Sequence, residues 1–209
     1  MAAAWWLCLR PWPDPKLACV YAGVGTSAGR QQMKFDAIIR PARLADAAAL
    51  SELMRRTFIA ANGHCSTPGN VARFLDATYQ PGLQAAEIRD PDTLTLIVEQ
   101  DHEWAGFAQL RWGTRPPPEI DLLPTVELGR IYLDAAFHRR GIAAQLVATL
   151  LAAASVRGSR SVWLNVWQES AQAIRFYQKH GFQIVGSSVF NVGDDPKQDW
   201  VMTQALPVA

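Results

Sequence analysis

The stretch from Val126 to Leu150, VELGRIYLDAAFHRRGIAAQLVATL, joins a hydrophobic strand to an amphipathic helix through a turn that carries two arginines and a glycine. Ile142, Leu146, Val147, Leu150 and Leu151 recur at the spacing of a helix packed on one face, and Arg139, Arg140 and Gly141 stand where that helix begins. A helix N-terminus offers four unpaired backbone N–H groups and a partial positive charge. A pyrophosphate placed there is bound mainly by main chain, with the arginines adding charge and the glycine letting the ligand approach. Taken alone, the segment is also compatible with an ordinary basic strand-to-helix connection.

A second segment, Ser161 to Phe182, SVWLNVWQESAQAIRFYQKHGF, narrows the choice. Val162, Leu164 and Val166 alternate with Trp163, Asn165 and Trp167 as in a strand covered on both faces; a helix with Ala173, Phe176 and Tyr177 follows, closed by Gly181. With both segments in view the chain resembles the GNAT superfamily of N-acetyltransferases, which move an acetyl group from acetyl-CoA to an amine. The family's phosphate-loop pattern falls on His138, Gly141 and Ala143, with His138 where the family has Gln or Arg. Its second signature falls on Ser170, Ala173, Phe176, Tyr177, Gly181 and Phe182, with Ser170 where the family has Asn. His138 can still donate to phosphate, although its charge varies with pH near neutrality. Ser170 can cap the helix or bond the pantetheine, with shorter reach than Asn.

The resemblance implies a mixed α/β fold over residues 33–209: a central, mostly antiparallel sheet with flanking helices, whose fourth and fifth strands splay apart around acetyl-CoA. It implies that His138, Arg139, Arg140, Gly141, Ile142, Ala143 and Ala144 bind the pyrophosphate, that Ile131, Tyr132 and Leu133 run beside the pantetheine arm, and that Ser170 and Ala173 complete the cofactor site. Through WLNVWQESAQAIRFYQKHGF, VFNVGDDPKQDWVM and VELGRIYL the chain is also similar to the PaiA-type spermidine/spermine acetyltransferases. That similarity implies a small primary amine, such as a polyamine, as acceptor and direct transfer as the mechanism. Protein or peptide acetylation, and a non-catalytic acyl-CoA-binding role, stay open, as does a homodimer.

An alkyl amine with a lysine-like pKa of about 10.4 is protonated at neutrality, and making the neutral nucleophile costs roughly 4.6 kcal/mol at pH 7. Something must accept that proton. Glu127 on the fourth strand matches the general base of the superfamily's histone-acetylating members, acting directly or through a water; Glu119 and Asp121 compete, and a salt-bridged surface glutamate is the plainer reading. Ile131 matches the main-chain donor to the developing oxyanion. Tyr177 matches the acid that meets the departing thiolate. Full proton transfer from an unperturbed tyrosine to a thiolate is uphill by roughly 2 kcal/mol, so hydrogen bonding is the expected role.

Other residues are expected to be structural. Among the eight tryptophans, Trp112, Trp163 and Trp167 suggest an aromatic cage for a cation, against which core and sheet-face packing is the bland reading. Arg130 is expected to pair with Glu127, Gly129 to mark a bulge that opens the sheet, and Cys65, beside His64, to be a bystander thiol. Glu119, Asp121, Asp194 and Asp195 are candidate carboxylates at the mouth of the cleft.

Composition excludes several classes. With 49% hydrophobic and 19% charged residues the chain is globular, and its 209 residues suit one domain. A net charge of +1, with no Lys/Arg run longer than two, gives no support for nucleic-acid binding. Three cysteines at irregular spacing fit a reducing cytoplasm, and no metal-ligand pattern is visible. Met1 to Arg10 is too short to span a membrane and lacks the charge that opens a signal peptide. Residues 1–32 read as a flexible extension, either dispensable for folding or the result of a start codon upstream of the native one.

The remaining chain reads as a strand at Phe35 to Arg40, helices at Leu44 to Ala60, Val71 to Gln80 and Gln84 to Arg89, and a strand pair at Thr93 to Glu99 and Trp104 to Trp112. The fourth strand spans Val126 to Leu133. After the phosphate-loop helix come the strand Ser161 to Trp167, the helix Ser170 to His180, and strands near Phe182 to Asn191 and Asp199 to Ala205.

Overall fold

Strand β1 (Ile38–Pro41) leads through a 3-10 turn at Leu44–Asp46 into three helices, α1 (Ala47–Asn62), α2 (Pro68–Thr78) and α3 (Pro81–Arg89). Then follow β2 (Thr93–Gln100), β3 (Glu103–Arg111), β4 (Thr125–Leu133), α4 (Ile142–Val156), β5 (Ser161–Trp167), α5 (Ala171–Lys179), β6 (Gln183–Val192) and β7 (Asp195–Ala205). This is a computed structural model that describes residues 37–207; the expectations for residues 1–32 lie outside that range.

The order of elements is the expected one, and the boundaries differ for local reasons. Helix α2 starts before Val71 because Thr67 accepts a hydrogen bond from the Asn70 N–H and Pro68 takes the first helical position, where a missing N–H costs nothing. Pro81 likewise opens α3 instead of ending α2. Strand β7 begins at Asp195 because β6 and β7 form a tight hairpin, pairing Val192 with Asp195.

The seven strands lie in the order β1-β2-β3-β4-β5-β7-β6, with every neighbouring pair antiparallel except β4 and β5. Parallel pairing of β4 with β5 is made possible by the crossover helix α4. It is short: only Thr125, Val126 and Glu127 find partners, in Ser161, Val162 and Trp163. Beyond them β4 continues to Leu133 and β5 to Trp167 with no ladder between, so the sheet opens into a V.

Each face of the sheet has its own core. On one face Val126, Leu128, Leu164, Val166 and Met202 pack with Ile142, Leu146, Leu150 and Ala153 of α4 and Tyr177 of α5. On the other, Leu50, Leu53, Met54 and Phe58 of α1 and Val71 and Leu75 of α2 cover Ile97, Phe107 and Val192. Leu146 and Leu53 are fully buried; each such side chain contributes about 2 kcal/mol through the apolar area it removes from water.

Candidate active site

The opening between β4 and β5 is set by a bulge. Arg130 pairs with Gln109 and Leu128 with Leu110, which leaves Gly129 as an extra residue on β4. An extra residue shifts the alternation of side chains by one. Glu127, Arg130 and Tyr132 therefore share the face covered by α1 and α2, while Ile131 and Leu133 pack with the core on the α4 face.

Glu127 lies at the last paired rung before the strands diverge, opposite Trp163. Its side chain is 13% exposed, and Arg111 approaches it at 4.0 Å. The Glu127 Oε2 is buried with no hydrogen-bond partner, and so is the indole Nε1 of Trp163. An acceptor and a donor are thus both unsatisfied on the two residues that flank the opening. Orphaned polar atoms of this kind are costly and call for a ligand or water.

Arg130 does not pair with Glu127. Its guanidinium meets Glu87 of α3 at 2.7 Å and lies over the ring of Tyr79. Gln109 donates to the same Glu87 carboxylate at 3.0 Å and to Thr95 at 3.1 Å, and its own oxygen accepts from Arg111 Nε at 3.0 Å. A chain of polar contacts thus runs from Glu87 to Glu127. Burial and the neighbouring Arg130 work against the charge of Arg111, whereas the two glutamates support it.

The turn after β4 presents main chain outward. Asp134 accepts from the Ala136 N–H and starts a single 3-10 turn, Ala135–Phe137. The first helical bond of α4 joins the Gln145 N–H to the Gly141 carbonyl, so the N–H groups of Ile142, Ala143 and Ala144 have no partner within the helix. No side chain caps it. Gly141 adopts φ +82°, and a Cβ built there would meet nothing within 4 Å. Arg139 is also left-handed, at φ 62°, and exposed. Arg140 lies against Phe137 and 3.7 Å from Asp101, and His138 Nε2 stands 3.1 Å from the Leu133 carbonyl. The free N–H groups, the open space over Gly141 and the exposed arginines together fit a pyrophosphate.

Tyr177 belongs to the α4 face of the sheet, opposite to Glu127, with its ring edge-on to Phe176 and Phe182. Burial pushes its hydroxyl pKa well above the ordinary value, so it stays a donor. Tyr132 is half-buried on the other face, where its hydroxyl accepts from Asn62 at 3.1 Å and desolvation likewise raises its pKa. Ser170 stands at the start of α5 without capping it, and Ala173 is half-buried against the core.

The loop acids are divided. Asp194 pairs with Arg73 at 2.8 Å and Asp195 with Lys197 at 2.8 Å, so both already have cations. Glu119 is exposed beside Gly186 of β6, and Asp121 lies near Ser161 and Thr203, away from the opening. Cys65 is a free, half-buried thiol that burial keeps protonated. Trp112 is on the α4 face, 3.1 Å from the Ser159 hydroxyl and under Arg157. A residue the sequence reading passed over is Asp199 on β7, only 6% exposed, on the same face as Glu127. Among the described residues no group of three or more metal-ligating side chains converges, and no helix is long and apolar enough to cross a membrane.

Comparison with known proteins places these features in a family. The model of the acetyltransferase (GNAT) family matches residues 49–182. An uncharacterised N-acetyltransferase of Mycobacterium tuberculosis is 34% identical over 163 residues, covering 78% of this chain and 99% of that protein. Among solved structures, the PaiA N-acetyltransferase from Thermoplasma acidophilum in complex with coenzyme A superposes with a TM-score of 0.65 at 19% identity, covering 81% of this chain and 99% of that one. An N-acetyltransferase from Staphylococcus aureus gives 0.62 at 25% identity, over 82% and 99%. The chain belongs to the GNAT acetyltransferase family and has its fold.

Proposed function

We propose that this GNAT acetyltransferase moves an acetyl group from acetyl-CoA to a small primary amine by direct attack, with Glu127 as the base. The observation that carries this reading is the buried Oε2 of Glu127, which no hydrogen-bond donor reaches and which Arg111 approaches only at 4.0 Å, beside the point where β4 and β5 part. A carboxylate oxygen held there without a donor is ready to receive one from the ammonium of an acceptor, or from a water between them.

On this reading the cofactor lies on the α4 side, with its pyrophosphate on the N–H groups of residues 141–144 and its pantetheine beside Ile131, Tyr132 and Leu133. Arg139 adds charge. His138, turned toward Leu133, supports the loop backbone more than the phosphate, and Ser170 and Ala173 line the side formed by α5. The acceptor enters from the α1 and α2 side.

Glu127 takes the proton that the amine must lose, a step that costs roughly 4.6 kcal/mol at pH 7 without a base. The neutral nitrogen then forms a bond to the thioester carbonyl carbon, whose π pair moves to oxygen. That oxygen meets a main-chain N–H on the unpaired edge of β4, assigned to Ile131. When the pair returns, the carbon–sulfur bond breaks and the pair leaves on sulfur, while the nitrogen, cationic since the attack, gives up its second proton to solvent, from which the thiolate is protonated to the free thiol. Tyr177, protonated by burial, donates a hydrogen bond to the departing thiolate.

The PaiA-like residues make polyamines the acceptors to test first. Thiol release from acetyl-CoA across polyamines, amino acids, aminoglycosides and peptides decides the class: release with free amines and loss of it in Glu127→Gln support the reading, whereas release with peptides only would reassign the acceptor.

A further inference from the structure

Asp199 is buried on β7 and has no cation and no hydrogen-bond donor at its carboxylate among the described residues. The nearest lysine on its own strand, Lys197, is committed to Asp195 at 2.8 Å. Burial pushes the Asp199 carboxyl up to about 6. A buried acid with no structural partner is an expense to the fold unless something that binds there compensates it.

Its cross-strand surroundings are partly open to solvent. Directly across the strands are Trp167 of β5 and Ser188 of β6, both half-buried. Cross-strand partners point the same way, so all three side chains share the face that carries Glu127. Between Trp163 and Trp167 on that face stands Asn165, which is exposed and accepts from the Ser188 hydroxyl at 3.0 Å. The loop between α1 and α2 comes close on this side. His64 lies 5.7 Å from the Trp167 ring, and Cys65 is close enough to feel the charge of Asp199.

We infer that Asp199 and Trp167 form a subsite for a second cationic nitrogen of the acceptor, remote from the nitrogen that is acetylated. A carboxylate supplies the counter-charge and a tryptophan the polarisable surface that an ammonium prefers once it leaves water. Glu127 is level with Trp163 and Asp199 with Trp167. Four residues of strand separate those levels, roughly 13 Å at the usual rise. No single ammonium spans that distance, so the two carboxylates address opposite ends of an extended acceptor. This subsite deepens the amine-acetyltransferase reading and rests on it for the identity of the ligand.

Calorimetry with spermidine and with propylamine, on the full-length protein saturated with CoA, tests the subsite apart from the chemistry. Spermidine should bind the wild type at least about tenfold more tightly than Asp199→Asn, an effect in the range of a hydrogen bond to a charged group. Propylamine, with one charge, should bind both alike. Trp167→Leu should weaken spermidine in the same direction, and the melting temperature of Asp199→Asn at neutral pH should not fall below that of the wild type. Equal spermidine affinities, absence of spermidine binding to the wild type, or a lowered melting temperature in Asp199→Asn would each overturn the inference, the last by making Asp199 structural. Asp199-dependent binding with no acetylation of any amine would leave the subsite standing and remove the transfer reading; acetylation of spermidine with an unchanged KM in Asp199→Asn would do the reverse.

Discussion

Arg111 lies across Gly129: a Cβ at Gly129 would stand 2.7 Å from both Nε and Nη2 of the Arg111 side chain. The same guanidinium is the charged group nearest to Glu127. The bulge residue thus does two things at once. It re-phases β4 so that Glu127 and Arg130 face the same side, and it leaves the floor over which Arg111 reaches the proposed base.

Gly129→Ala should therefore act at a distance from the chemistry. The added methyl forces Arg111 off the strand, so turnover should drop about tenfold while stability falls by only about 1 kcal/mol, the scale of a small overpacking strain. Steady-state kinetics beside urea unfolding separates the two effects. Arg111→Gln, which removes the charge and keeps the glycine, should lower turnover similarly.

Gly141→Val should remove cofactor binding and leave the fold in place. Its φ of +82° is strained for any residue with a Cβ, at about 1–2 kcal/mol, and the valine side chain would fill the open space over the N–H groups of α4. Calorimetry with acetyl-CoA should show no measurable binding, with circular dichroism unchanged.

Tyr177→Phe should lower turnover about tenfold with little change in acetyl-CoA affinity or melting temperature. The ring carries the packing, against Phe176 and Phe182, and the hydroxyl has no partner among the described residues. A large loss of stability would assign the hydroxyl a structural role instead.

Stability should depend on pH through Asp199. Its folded value, about 6, is above the ordinary 3.8, so the folded protein holds a proton that the unfolded chain has lost. The cost is absent below about pH 4, grows as pH rises toward about 6, and is complete above that. Cys65 is near enough to sense its charge, and Lys197 and Asp195, which also act on Cys65, neutralise each other. Asp199→Asn should stabilise the free protein at about pH 7 by about 1–2 kcal/mol, after allowance for residual screening, and by less near pH 4.5. Urea unfolding at the two pH values checks this.

Much of the architecture was legible in local pattern. Strand β5 coincides with its predicted span because apolar alternation and the flanking turns are local signals. The same holds for α4, where Ile142, Leu146, Val147 and Leu150, picked out by the 3.6-residue period, are buried, while Leu151 is half-buried and Thr149, Ala153 and Ala154 join the buried face. What escaped depended on pairing between distant segments. Arg111 drew no notice because its proximity to Glu127 follows from the β3–β4 register, and Arg130 met Glu87 because α3 packs where sequence spacing cannot place it. Asp199 was hidden by a boundary: β7 was expected to begin there, whereas it begins at Asp195 and puts Asp199 inside the ladder. Its phase with Val201, two residues on, is the signal that would have exposed it as an inward-facing acid.

The pH dependence of Glu127→Gln tests the central assignment most directly. A missing base matters most when the amine is protonated and least when it is already neutral. With the acceptor identified by thiol release, kcat/KM of the variant should trail the wild type by about a hundredfold or more near neutrality, and the gap should narrow steadily as the pH approaches about 10, where a lysine-like amine loses its proton unaided. A ratio that stays constant across that range would show that Glu127 is not the proton acceptor.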